Sequence, residues 1–186
     1  MITLLKNVCV FFVFLVGIQT IVAQPLDNVR DQFFKMDKTK DGAFKLYNSL
    51  AKADLSKDPV LLAYRGATSA ASAGSVSGVW NKLEYFNRGK SELEKATSIK
   101  PQDVEIRFAR LATQVNAPGF LGYSGNIEND KAIILKILNN ISANDQNVYL
   151  YQRICLSLKS MDILSKEEQT VVNQTIIKLN SKKTND

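Results

Sequence analysis

Residues 58–74 read DPVLLAYRGATSAASAG, and residues 80–101 read WNKLEYFNRGKSELEKATSIKP. The first of these opens on Asp58 and Pro59. An aspartate there can accept hydrogen bonds from the free amides of a first helical turn, and proline suits the first helical position. Behind them Leu62, Ala63, Gly66, Ala67, Ala70, Ala71 and Ala73 give a helix with small side chains, which a neighbour can approach closely. Gly66 costs about 1 kcal/mol of helix propensity relative to alanine, so a close contact is expected at that point. Gly74 and the SVSG segment end the helix. A second helix begins near Val79 or Trp80. It sets Leu83, Phe86, Leu93 and Ala96 on one face, with Gly89 among them. Ile99 and Lys100 lead into Pro101, which closes it, because a residue before proline avoids helical geometry. Glu92 with Lys95, and Lys90 with Glu94, are spaced as exposed ion pairs. Residues 58–101 therefore read as two helices folded back on each other.

The flanks extend the helical pattern. Pro25 and Asp27 open a helix carrying Val29, Phe33 and Met36, which DKTKDG (37–42) interrupts. That segment has the outline of a calcium loop, with Asp37, Thr39 and Asp41 at the first, third and fifth positions and Gly42 at the sixth. Asn48 stands at the twelfth position, where a bidentate glutamate is needed, so a helix break is the expected reading. Phe44, Tyr47, Leu50 and Ala51 resume an apolar face. On the other side, Val104, Phe108, Leu111 and Val115 form a stripe, and NAPGFLGYSG (116–125) interrupts the chain. Ile127, Ile134, Ile137 and Leu138 form a further helix. Another helix covers residues 144–159, with Val148, Tyr151, Cys155 and Leu158 on one face. A last one begins at Ser165, where SKEE has the form of a capping box, and turns Val172, Ile176 and Leu179 inward. No segment alternates long enough to be a strand. The expected fold class is all-α.

Gly66 in a first helix, then Gly89, Leu93 and Ala96 in a second, then Pro101, resembles a tetratricopeptide-type repeat. Gly89, Leu93, Ala96 and Pro101 match the small residue, apolar residue, alanine and proline of the family's second helix. The match spans roughly 45 residues. The chain departs from the pattern in two ways: the first-helix tryptophan is missing, and about eleven additional residues separate Gly66 from Gly89. The resemblance implies antiparallel helical hairpins stacked as a short right-handed array. The chain carries at most two and a half hairpins, so helices at residues 27–52 and 165–180 are expected to cap the array.

Compartment and chemistry are bounded by composition. Residues 1–23 have the form of a signal peptide: Lys6, then the apolar run VCVFFVFLVGI, then Ala23 before the expected cleavage. On this reading residues 24–180 form one helical domain and residues 181–186 a polar tail. The protein is expected to be exported, periplasmic or extracellular, with no stable membrane anchor after cleavage. Removal of the signal also removes Cys9 and leaves Cys155, in an apolar setting, as the sole cysteine of the mature chain. The sequence contains no histidine, which rules out histidine-based triads and histidine zinc sites. Its net charge of +6 comes from 24 basic and 18 acidic residues that are interspersed, so no nucleic-acid partner is expected. No phosphate-binding, dinucleotide or hydrolase motif is present. Glu92 and Glu94 would point apart on a helix, and Glu167 and Glu168 suit a helix N-terminus. The expectation is a non-enzymatic protein with no cofactor.

Two functions fit. One is a helical scaffold that binds a protein or peptide partner through Tyr64, Arg65, Arg107 and Arg110, residue types typical of interface anchors. The other is a small-molecule or lipid-binding domain that uses the 116–125 loop, with Phe120 and Tyr123 lining its cavity. A charged, open groove would favour the first reading, and a cavity lined by apolar residues the second.

Overall fold

The structure is a computed structural model, and it describes residues 25–39 and 41–181. The expected signal sequence and the tail beyond Ser181 lie outside the described residues. Among those residues the protein is all helical, with no strand. Its helices are α1 (Leu26–Phe33), α2 (Gly42–Leu50), α3 (Pro59–Ser72), α4 (Val79–Ile99), α5 (Val104–Asn116), α6 (Ile127–Asn140), α7 (Val148–Ser160) and α8 (Lys166–Asn180). Short 3-10 turns occupy Met36–Lys38 and Gly119–Leu121.

Local chemistry sets most of the boundaries. Asp58 accepts from the Leu61 amide at 3.0 Å and Pro59 is the first residue of α3. Asp103 caps α5 by accepting from the Glu105 and Ile106 amides. Ser165 and Glu168 form the reciprocal capping box of α8. Two boundaries differ from the sequence reading. The first helix ends at Phe33, and a 3-10 turn follows. Asp41 then adopts a left-handed conformation (φ 55°), and Gly42 starts α2. A side chain on Gly42 would collide with the Met36 carbonyl and the Thr39 hydroxyl, which accounts for the glycine without a bound ion. The 144–159 helix begins later, at Val148, because Asp145 folds back and accepts from the Asn147 amide at 2.8 Å.

The innermost element is α3, which packs on α1, α2, α4 and α5. Its largest contact is with α4, and it centres on two glycines. A Cβ on Gly66 would stand 2.8 Å from the Gly89 carbonyl oxygen, and one on Gly89 would collide with the Gly66 carbonyl. The helices meet backbone to backbone there, which only glycine on both sides permits. The second central element is α5, which packs on α3, α4 and α6, while α8 covers α6 and α7. One apolar cluster runs from Val29 to Leu179, with Leu93, Ile106, Leu111, Ile134, Ile154 and Leu158 fully buried within it. The flanking helices α1, α2 and α8 join this core.

Candidate functional site

Beyond the Gly66–Gly89 contact, α3 and α4 both continue. The overhang forms two walls of an apolar groove of about 950 Å³. Ala67, Ala70, Ala71 and Gly74 of α3 and the turn after it face it from one side. Val79, Leu83 and Phe86 of α4 face it from another. A third wall is α5, through Phe108, Ala112 and Val115. Phe34 and Met36 close one margin, and Pro118, Phe120 and Leu121 another. The α4 wall covers two turns, from Val79 to Phe86, while the α3 wall runs from Ala67 into the turn at Gly74 and the α5 wall from Phe108 to Asn116 at the end of that helix. The volume exists because the α3 side chains are small. Val79 is 70% and Phe120 85% exposed at the margin, and Trp80, beside Val79, is 84% exposed. Tyr149, Leu156 and Ile177 are also exposed, away from the groove.

The polar groups of the lining offer little. Thr113 donates to the Ala109 carbonyl, Asn116 to Ala112 and Ser160 to Ser157, each within its own helix. The charged lining residues are Asp37 and Lys82. Both are exposed, and neither has an ion-pair partner among the described residues.

The six residues that the sequence singled out for contact lie elsewhere, with one exception. Tyr64 is buried in α3 and donates to Glu105 Oε1 at 2.5 Å. Burial, together with that carboxylate, raises the phenol well above its ordinary value. Glu105 also receives Arg30 in a two-pronged pair at 2.7 Å, which ties α1 to α5. Arg65 pairs with Glu92 of α4 and donates to the Ala53 carbonyl. Arg107 and Arg110 are buried and converge on Asp130 of α6, which is fully buried and also accepts from Gln114. Arg110 reaches Glu94 as well, at 2.7 Å. Burial opposes the Arg110 charge, and the Asp130 and Glu94 carboxylates outweigh it, so its pKa is raised. Tyr123 is buried. It donates to Glu94 Oε1 at 2.8 Å and packs edge-on against Phe86.

The expectation of an exposed arginine and tyrosine surface is thus corrected. Tyr64, Arg65, Arg107, Arg110 and Tyr123 knit helices together, and of the six only Phe120 stands in solvent. The reason is that carboxylates distant in sequence face them inside the fold. Glu92 and Glu94 likewise leave the lysines near them and pair across to α3 and α5. The sequence contained a signal for this. Arg107 and Gln114 fall on the same helical face as Val104, Leu111 and Val115, and a cation on an apolar face requires a buried carboxylate. The groove was less legible. Its alanines were noted as a close-packing face, but the neighbour covers only part of them.

A second hollow, of about 570 Å³, lies between α1 and the start of α7. Its arginines are engaged: Arg30 with Asp27 and Glu105, and Arg153 with Asp31 while lying over the Phe34 ring. Cys155 is buried, and burial pushes its thiol up to about 11, which makes it a packing residue. Among the described residues no group of three or more acidic or cysteine side chains could hold a metal ion, and no helix is long and apolar enough to cross a membrane. Comparison with protein-family models, with curated proteins and with solved structures gives no match for this chain.

Proposed function

We propose that the protein is an exported, non-enzymatic helical scaffold of tetratricopeptide-like hairpins, and that it binds a protein or peptide partner in the α3–α4–α5 groove. The observation that carries this reading is that the groove is open to solvent rather than enclosed, although its lining is apolar and not the charged surface expected for a partner site. The trough has a volume of about 950 Å³ and is flanked by exposed Val79 and Phe120. The paired state of the buried charges supports a rigid scaffold, because a saturated ion-pair network has no group left over for acid or base chemistry. The apolar lining also favours a second reading, a lipid or other apolar small molecule held in the same place.

The test uses the protein expressed from its full sequence and the variant Ala71→Arg. Ala71 is exposed in the groove, so arginine there blocks it without entering the core. An apolar fluorescent dye should bind the wild type and lose most of its signal with Ala71→Arg at unchanged melting temperature. Equal dye binding by both proteins would remove the groove as the site. Intact-mass measurement of the protein expressed from its full sequence should give a chain that begins at Gln24; a retained N-terminus would overturn the reading of residues 1–23 as a cleaved signal peptide.

A further inference from the structure

We infer that residues 118–122 form a lid, which swings about Gly119 and lays the Phe120 ring over an apolar group seated in the groove. This rests on the groove being the binding site and adds how that site closes. The first support is the way the loop is fastened. Its two feet rest on one buried residue. The Ala117 amide donates to the Gln114 carbonyl at 3.3 Å, and the Asn126 amide donates to Gln114 Oε1 at 3.0 Å. Gln114 in turn donates to the buried Asp130. Between the feet, Tyr123 is held in the interior by Glu94 and Phe86. Pro118 to Gly122 is the span left over. Its hydrogen bonds close on itself: the Leu121 amide donates to the Pro118 carbonyl, and the Gly122 amide to the Gly119 carbonyl. No hydrogen bond among the described residues ties this span to the rest of the fold. A turn fastened in this way can move as a unit while its ends stay fixed.

The second support is Gly119. Gly122 stands at φ 60°, where glycine is the natural residue. Gly119 has no positive φ, and a Cβ placed on it would meet nothing within 4 Å. The observed turn therefore does not require glycine at that position. Glycine widens the range of backbone angles, and a hinge uses that range.

The third support is Phe120. It stands at the groove's margin and is 85% exposed, while Leu121 beside it packs against the core. A ring so placed gains from any apolar surface it can cover. Size decides between a plug and a lid. A phenyl ring needs a space of about 150 Å³. Phe120 alone would fill about a sixth of a groove of about 950 Å³, too little to plug it. Laid over an apolar group in the groove, the same ring shields the side that an open trough leaves in water.

The test follows the release of Nile red from the protein expressed from its full sequence, by stopped-flow fluorescence. Two variants separate a lid from a fixed wall. Phe120→Ala removes the ring from an exposed position. Gly119→Pro keeps the ring and locks the turn as it stands. Proline suits the first position of a helical turn, and Pro118 already has the extended angles (φ −54°, ψ 134°) that a residue before proline needs. The proline ring also enters open space. Both variants should release the dye about tenfold faster than the wild type, at unchanged or higher melting temperature. Faster release from only one of them, or unchanged release from both, overturns the lid. Slower release from Phe120→Ala also overturns it, because the ring would then compete for the groove. In each of these cases the groove reading stands as long as Ala71→Arg abolishes dye binding. If Ala71→Arg leaves dye binding intact, the groove reading fails and the lid fails with it.

Discussion

Asp130 shows how one side chain decides the roles of several others. It is fully buried in α6 and accepts from Arg107, Arg110 and Gln114, at 2.7–2.8 Å. Two guanidinium groups are thereby held in the interior, where neither would be stable alone. Removing the carboxylate leaves both without their shared anion. Asp130→Ala should therefore lower stability by about 3–5 kcal/mol, a large part of the total for a domain of this size. Urea unfolding followed by circular dichroism measures it. A loss below about 1 kcal/mol with an unchanged slope would mean that the network does not hold α5 to α6. The carboxylates at positions 105, 92 and 94 act in the same way on Tyr64, Arg65 and Tyr123. This is why residue types common at interfaces serve here as internal ties.

At the scale of the helix pair, α3 and α4 are joined by the absence of two side chains. Gly66 and Gly89 face each other across the crossing, and the Ala70 backbone nitrogen lies within 2.6 Å of a Cβ placed on Gly89. In isolation, alanine would make α4 the better helix by about 1 kcal/mol. In the hairpin its methyl group meets backbone, which cannot move aside as a flexible side chain would. Gly89→Ala should therefore destabilise by about 1–3 kcal/mol in spite of the propensity gain. Thermal unfolding measures the sign, and a rise in melting temperature would show that the helices can separate without penalty. The crossing also positions the groove, because the walls are the parts of α3 and α4 that run on past it.

The molecule as a whole has an alkaline limit. Burial raises the phenols of Tyr64, Tyr123 and Tyr151 above the ordinary tyrosine value of about 10. For each, the folded state keeps its proton where the unfolded chain has lost it. The stabilisation is complete below about pH 10 and is lost as pH rises above it. The Cys155 thiol, pushed up to about 11, adds an earlier onset, near the ordinary thiol range. With no histidine in the chain, no side chain titrates near pH 6–7 at its ordinary value. Melting temperature should be flat from about pH 6 to 8 and fall steeply beyond about pH 10. Tyr64→Phe should flatten part of the alkaline fall, and an alkaline limb identical to the wild type's would show that Tyr64 does not contribute to it.

The sequence by itself determined what is local. Asp58 with Pro59, Ser165 with Glu168, and Pro101 set helix ends through groups a few residues apart. Apolar residues at helical spacing identified the elements and most of the core, and Cys155 was readable as a core residue from its neighbours. Gly66 was legible as a close contact because a glycine inside a helix weakens it unless a neighbour needs the space. Only the tertiary structure decided what depends on partners distant along the chain: that Gly66 meets Gly89, that Asp130 turns Arg107 and Arg110 inward, and that Glu94 holds Tyr123 of the 116–125 loop in the interior. It also decided where the small face of α3 is covered and where it stays open. Helix periodicity records which face of an element is apolar. It does not record how far a neighbouring helix runs along that face, and here the uncovered length is the groove.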